Sequence, residues 1–108
     1  MVKIILFCGS GISSSILAAR MRESARKMHI ELSVEAHPEN GFEKYLNDAD
    51  AVLLGPQIRY MHDKLKKICA EKRIPVDIIS NTDYGMMKAE NIINLVLRLI
   101  ENNQESRI

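Results

Sequence analysis

The sequence has 108 residues, of which 46% are hydrophobic and 27% are charged, and this suits one globular domain over residues 1–108. With 15 basic and 14 acidic side chains the net charge is +1, which gives no electrostatic reason to expect a nucleic-acid partner or binding to an anionic membrane. No apolar run reaches the length of a membrane span and no signal peptide is recognisable, so we expect a cytoplasmic protein. The two cysteines, Cys8 and Cys69, match no zinc-ligand spacing.

The chain begins with an apolar run of strand length at residues 2–7, followed by the glycine- and serine-rich segment CGSGISSS at residues 8–15. Apolar residues at helical spacing come next, which predicts a helix from about Ser13 to Met28. The segment between them is therefore a tight strand-to-helix turn with Cys8 as its first residue. Glycines let another molecule approach the backbone closely, and serine is a preferred residue at a helix N-terminus.

This turn has the properties of an anion-binding site. The first N–H groups of a helix have no partner inside it, and the helix dipole adds a partial positive charge there. A thiol in that field should have a lowered pKa, because the field favours the thiolate. A thiolate beside bound phosphate suggests a nucleophile that accepts a phosphoryl group. The alternative is that Cys8 is a small buried hydrophobic residue at a strand end.

The rest of the chain continues the alternation of strands and helices, which predicts an α/β fold with a parallel sheet covered by helices on both faces. Two apolar strands should be central, and the strictly alternating strand should lie at an edge, so the predicted strand order is 2-1-3-4. The further predicted elements are a strand at 30–37, a short helix at 41–47, a strand at 51–54, a helix at 60–72, a strand at 76–79, a polar loop at 80–85 and a helix from 86 or 88 to 102.

Ligands of such sheets bind beyond the carboxyl ends of the strands, where the chain direction switches. Here that crevice lies between the first strand, ending at Cys8, and the third, ending at Gly55. Gln57 and Tyr60 follow Gly55 and are candidates for the crevice rim, although they are equally suited to capping the next helix. Tyr84, after the fourth strand, is likewise a candidate for the crevice rim.

These motifs resemble those of the enzyme IIB components of the lactose/cellobiose (chitobiose) branch of the bacterial sugar phosphotransferase system. The cysteine segment is similar to the family pattern C-[AS]-A-G-M-S-T-S. The run AVLLGPQIRYM at residues 51–61 is close to the pattern VLLGPQIxYM, and Tyr84-Gly85 stands at the matching place after the fourth strand. The matches occur in the right order and span almost the whole chain.

The resemblance implies a phosphotransferase that relays a phosphoryl group. A phosphohistidine of the enzyme IIA component would give its phosphoryl group to Cys8, and the phosphocysteine would pass it to a sugar, such as a cellobiose-, chitobiose- or lactose-like β-glucoside, bound by the membrane-embedded IIC component. The chain would reach the inner face of the membrane transiently through IIC, and we expect no cofactor and no metal. The phosphoryl oxygens would lie in the loop formed by Gly9, Ser10, Gly11, Ile12, Ser13, Ser14 and Ser15.

Two other functions suit a cysteine in such a loop. A low-molecular-weight tyrosine phosphatase has a similar fold but carries C-x5-R, whereas the corresponding residue after Cys8 is Ser14. Its leaving-group acid would fall near Asp83, which lacks the following proline of that family. A non-catalytic anion-binding or thiol-sensing module is the second alternative.

Overall fold

The structure is a computed structural model that describes residues 1–9 and 11–105, without the side chains of residues 11–13, 104 and 105. In this part of the chain, strands alternate with helices. The strands are β1 (Val2–Cys8), β2 (Leu32–Pro38), β3 (Ala51–Leu54) and β4 (Val76–Ile78). The helices are α1 (Gly11–Lys27), α2 (His62–Glu71), α3 (Asn81–Gly85) and α4 (Ala89–Glu105), with 3₁₀ segments at Phe42–Tyr45 and Pro56–Met61.

The described strands form one parallel sheet in the order β2-β1-β3-β4, which confirms the predicted fold class and strand order. The apolar strands β1 and β3 lie in the middle, and the alternating strand β2 lies at an edge. At the carboxyl end of β1, Cys8 pairs with Pro38 of β2 and Phe7 pairs with Leu54 of β3. The cysteine therefore stands at the point where the chain connections leave the central strand in opposite directions.

Each face of the sheet packs into its own hydrophobic core, and β1 contributes to both because successive side chains of a strand point to opposite faces. Ile4, Leu6 and Cys8 lie in the core that α1 and α4 cover. Ile5 and Phe7 lie in the other core, with α2 and the two 3₁₀ segments. This alternation directs the Cys8 side chain toward the α1 and α4 face.

Several helix boundaries differ from those predicted. The helix after the cysteine begins at Gly11 rather than Ser13. The helix predicted over 60–72 is α2, and the residues before it form a 3₁₀ segment that starts with Pro56 and contains a non-helical residue, Ile58, at φ −115°. The last helix begins at Ala89 and continues to Glu105, beyond the predicted end.

The polar loop predicted over 80–85 is wrong, because these residues form the short helix α3. Ser80 caps the helix by accepting a hydrogen bond from the backbone N–H of Asp83 at 3.1 Å. Tyr84, in the middle of the segment, is buried in the α1 and α4 core, so one apolar side chain fixes a stretch that is polar in sequence.

None of the helices within the described residues combines the length and the apolar character needed to cross a membrane.

Candidate functional site

The candidate site is centred on Cys8, the last residue of β1. The neighbouring strand end is held against it, because the Gly55 N–H donates a hydrogen bond to the Phe7 carbonyl at 2.8 Å. The end of β4 is attached in turn, since the Ile79 N–H donates to the Leu54 carbonyl at 2.9 Å. Three strand ends are thus joined by backbone hydrogen bonds around the thiol.

Three side chains converge on Gly55. A Cβ atom placed on this glycine would lie 3.2 Å from Cys8 Sγ, 3.4 Å from Tyr84 Cε2 and 2.7 Å from Gln57 Oε1. The missing side chain therefore leaves the room into which the sulfur, the phenol ring and the amide fit. This is a close approach that glycine permits and that any larger residue would obstruct.

The thiol is buried, since Cys8 is 1% exposed, and in this respect it agrees with the alternative of a buried residue at a strand end. Burial raises the pKa of the Cys8 thiol above its ordinary value, and the nearby Glu39 carboxylate adds to the rise. Hydrogen bonds from Tyr84, Ser14 and the Gly55 backbone lower the pKa but do not cancel the effect of burial. The expected lowering of this pKa by the helix dipole is therefore wrong for the isolated chain, because desolvation is the larger effect.

The first turn of the helix carries no acidic residue, as a site for an anion requires. Ser14 is buried and faces the sulfur, whereas Ser15 is exposed. Of the other loop residues to which phosphate contacts were assigned, Ser10 lies outside the described residues. For residues 11–13 the backbone is part of α1, and their side chains lie outside the description.

The segment after β3 lies beside the cysteine loop, as the position of Gly9 demonstrates. A Cβ atom on Gly9 would meet Ile58 Cγ2 at 3.5 Å and Gln57 Cβ at 3.8 Å, both ordinary contacts. Two of the three candidate rim residues, Gln57 and Tyr60, are exposed on this segment. Gln57 Oε1 lies at the space over Gly55 that the sulfur also borders, whereas Tyr60 lines a pocket with Glu39.

Tyr84 lies inside the crevice rather than on its rim. It is buried in the same core as Cys8. The sequence predicts Tyr84 only at the rim, and not inside the crevice, because residues 80–85 are predicted to be a loop. The signal was nevertheless present, since Ser80 followed three residues later by Asp83 is the spacing of a helix-capping pair.

Two further contributors to the site, Gly55 and Glu39, were not recognised as such from the sequence. From the sequence, Gly55 is only a strand end that borders the crevice, because its role depends on which side chains meet there. Glu39 follows Pro38, the register partner of Cys8, and it is this residue register of β1 and β2, which strand order alone does not give, that places it near the thiol.

Among the described residues, no group of three or more His, Cys, Asp and Glu side chains is arranged to hold a metal ion.

Comparison with known families gives this arrangement its context. Residues 3–95 match the family model for the lactose/cellobiose-specific IIB subunit of the phosphotransferase system (PTS). The chain belongs to this family. As a IIB chain it is a phosphotransferase of the sugar phosphotransferase system, and it works with IIA and IIC components.

Known relatives cover nearly the whole of this IIB chain. It is 33% identical over 102 residues to an oligo-beta-mannoside-specific EIIB component of Bacillus subtilis, a match that covers 94% of this chain and 99% of that protein. The solution structure of a cellobiose-specific IIB component from Borrelia burgdorferi has a TM-score of 0.77 and 34% identity, with 94% of each chain covered. A lactose-specific EIICB component of Lacticaseibacillus casei is 26% identical over 102 residues, which are 94% of this chain and 17% of that protein.

Proposed function

We propose that this IIB chain carries the phosphoryl group on Cys8 as a phosphocysteine. Cys8 receives the group from a phosphohistidine of the IIA component and passes it to a sugar held by the IIC component. The observation that carries the proposal is the position of the thiol, at the carboxyl end of the central strand and three residues before the N-terminus of α1. Parallel α/β sheets bind ligands at this place, and helix N-termini bind phosphate.

The surroundings of the sulfur suit a group whose charge is spread over three oxygens. Phosphoryl transfer passes through a loose transition state, so positioning and hydrogen-bond donors matter more than covalent assistance. The amides at the start of α1 and the hydroxyl of the buried Ser14 supply donors near the sulfur. Each well-placed donor of this kind typically lowers a barrier by about 3 kcal/mol.

The transfer exchanges one bond for another. The thiol first loses its proton, the sulfur lone pair then forms the S–P bond, and the N–P bond to the donor imidazole breaks. The imidazole nitrogen keeps the electron pair of that bond. Overall, the proton from Cys8 replaces the phosphoryl group on the imidazole, so mass and charge balance without a cofactor. Because the pKa of Cys8 is raised, ionisation is part of the barrier that the docked complex has to lower.

Partner docking is supported by exposed apolar side chains near the carboxyl ends of the strands. Ile16 follows β1, Tyr60 follows β3 and Met86 follows β4, and all three are exposed. We assign them to the surface on which IIA and then IIC dock, since apolar and aromatic side chains are enriched at the centres of such interfaces. The relative named EIICB combines a C and a B component in its name, which supports direct contact with IIC. We place the chain in the cytoplasm, at the inner face of the membrane when it contacts IIC.

The sugar is proposed by class only. The relatives' names include oligo-beta-mannoside- and cellobiose-specific components, so a β-linked sugar of the cellobiose, chitobiose or lactose type is the substrate class we infer. IIC, which binds the sugar, makes the final selection in this scheme.

The test is phosphorylation of purified chain by phosphorylated IIA, followed by intact mass spectrometry. Wild-type protein should gain one phosphoryl group, and Cys8→Ser should gain none while unfolding at a similar temperature. Cys69→Ser is the matched control, because Cys69 is buried in the opposite core, and it should still be phosphorylated. Phosphorylation of Cys8→Ser at the wild-type rate would refute the assignment.

The structure disfavours both alternatives. Where a tyrosine phosphatase carries its phosphate-binding arginine, this chain has the buried Ser14, and Asp83 is occupied by a hydrogen bond from Asn91 Nδ2 at 3.2 Å. A thiol sensor requires an exposed cysteine with a low pKa, and Cys8 has the opposite properties. Hydrolysis of an aryl phosphate by the chain alone would favour the phosphatase instead.

A further inference from the structure

Tyr84 is the aromatic side chain that lies against the nucleophile. It shares a core with Cys8, and its ring edge and the sulfur both lie within 3.4 Å of the Cβ position that Gly55 leaves empty. The hydroxyl of Tyr84 is buried, and of the groups around Cys8 this side chain lowers the pKa of the thiol most. No other side chain on the α1 and α4 face, within the described residues, combines these contacts.

The helix that carries this tyrosine is held at its N-terminus and is joined to α4. The Tyr84 N–H donates to the Ser80 carbonyl at 3.0 Å, and the Asp83 N–H donates to Ser80 Oγ at 3.1 Å. The Asp83 carboxylate also accepts a hydrogen bond from Asn91 of α4 at 3.2 Å. A five-residue helix would not hold a side chain in place by itself, so these hydrogen bonds explain how Tyr84 keeps a single position.

We propose that Tyr84 is a positioning residue of the phosphoryl relay, whose phenol hydroxyl donates a hydrogen bond to the sulfur of Cys8. This inference rests on the proposed function. The sulfur is anionic twice in the relay, first as the attacking thiolate and later as the leaving group when the S–P bond breaks. It is least charged in between, as the phosphocysteine. A fixed donor therefore assists both the loading step and the unloading step, and it needs no proton transfer of its own.

The other groups that face the sulfur do not replace the phenol. Ser14 donates from the α1 side and Gly55 from the backbone, whereas the Glu39 carboxylate opposes ionisation. The tyrosine phosphatases have an arginine at the position of Ser14. Among the described residues that face the sulfur here, the hydrogen-bond donors are all neutral. The loss of one of them should thus be visible in the ionisation of Cys8 itself.

The decisive variant is Tyr84→Phe, which keeps the ring and removes only the hydroxyl. Tyr45→Phe is the matched control, because Tyr45 packs in the opposite core against Phe7 and His37. Both are made in a Cys69→Ser background, so that Cys8 is the only thiol. The rate of alkylation by iodoacetamide is measured from pH 6 to 10, and the rate of phosphorylation by phosphorylated IIA is measured at pH 7.5.

Tyr84→Phe should shift the alkylation profile to higher pH and slow both reactions roughly tenfold or more, the change expected when a hydrogen bond to a charged group is lost. Tyr45→Phe should match its parent. An unshifted alkylation profile in folded Tyr84→Phe would overturn the inference. This readout needs no phosphoryl donor, so it stays valid if wild-type Cys8 is never phosphorylated, an outcome that would refute the proposed function instead.

A second measurement covers the case in which Tyr84→Phe does not fold. The protein contains three tyrosines, and they can be replaced biosynthetically by 3-fluorotyrosine. The ¹⁹F resonance of Tyr84 should titrate together with the Cys8 thiol and lose that titration in Cys8→Ser. A Tyr84 resonance that is unaffected by thiol ionisation would overturn the inference.

Discussion

Replacement of Gly55 by alanine tests whether the room at this glycine is required for the chemistry. Gly55 has φ −64° and ψ 151°, which alanine adopts without strain, so the substitution acts through the added methyl group alone. That methyl would lie 2.7 Å from Gln57 Oε1, 3.2 Å from Cys8 Sγ and 3.4 Å from Tyr84 Cε2.

The magnitude follows from which neighbours can move. The exposed Gln57 side chain can swing away at little cost. Cys8 is buried, so its sulfur must shift by a few tenths of an ångström, whereas Tyr84 Cε2 at 3.4 Å is already at an ordinary contact distance. Overpacking of this kind costs about 1–3 kcal/mol. The smaller freedom of alanine in the unfolded chain returns about 0.4–1 kcal/mol. We expect a net loss of about 1–2 kcal/mol in the free energy of unfolding.

The effect on transfer should be separate from the effect on stability and of comparable size. Misplacement of a reacting atom by about 1 Å slows a reaction roughly 100-fold, so a shift of a few tenths should slow phosphorylation of Cys8 roughly threefold to tenfold. Urea melts and single-turnover phosphorylation by phosphorylated IIA measure the two quantities separately. Gly85→Ala is the control, because a Cβ there meets nothing within 4 Å. If Gly55→Ala transfers as fast as Gly85→Ala, the crowding argument is refuted.

Three further predictions concern ionisable groups. Glu39→Gln should lower the pKa of the Cys8 thiol and speed its alkylation at pH 8, since the carboxylate disfavours the thiolate; an unchanged rate would contradict this. Burial raises the pKa of Cys69 from 9.0 to about 11, so above pH 9 the unfolded chain ionises first and about 2 kcal/mol of stability is lost by pH 11. Urea melts should find this alkaline loss smaller in Cys69→Ala, and an equal loss would refute the assignment. A hydrogen bond from His37 holds the pKa of Glu35 below its ordinary value of 4.5. Urea melts should therefore show that Glu35→Gln loses less stability than wild type as the pH falls below 4.5. Equal losses in the two proteins would disprove this.

Most of the fold could be predicted from hydrophobic patterning. β1 and β3 are continuous apolar runs, which is how strands read when both faces are covered. β2 alternates because it lies at an edge. The topology then followed from the right-handed connection rule, which leaves few ways to order such strands.

The prediction was less successful where a single contact decides the structure. Residues 80–85 are polar apart from Tyr84, and no periodicity in so short a stretch indicates a helix. Its helical form depends on the Ser80 cap, which is a local contact, and on burial of one aromatic ring, which is a tertiary fact. The location of the candidate site could be predicted because strand ends are local features. The role of Gly55 could not, since it depends on side chains that are distant in sequence.

The prediction for the thiol pKa failed for a related reason, and the failure changes how the relay is understood. The sequence reveals the helix N-terminus after Cys8, which favours the thiolate, but it does not reveal how completely the sulfur is removed from water. A low-pKa thiolate would be a good leaving group, and its phosphocysteine would be lost readily to water. In the proposed relay, a buried sulfur with a raised pKa holds the phosphoryl group more firmly and excludes water from it. Transfer then becomes fast only when an acceptor stands in line and the donors at Tyr84 and Ser14 stabilise the departing thiolate. The same burial that slows ionisation therefore suits a carrier that must deliver its phosphoryl group to a sugar and not to solvent.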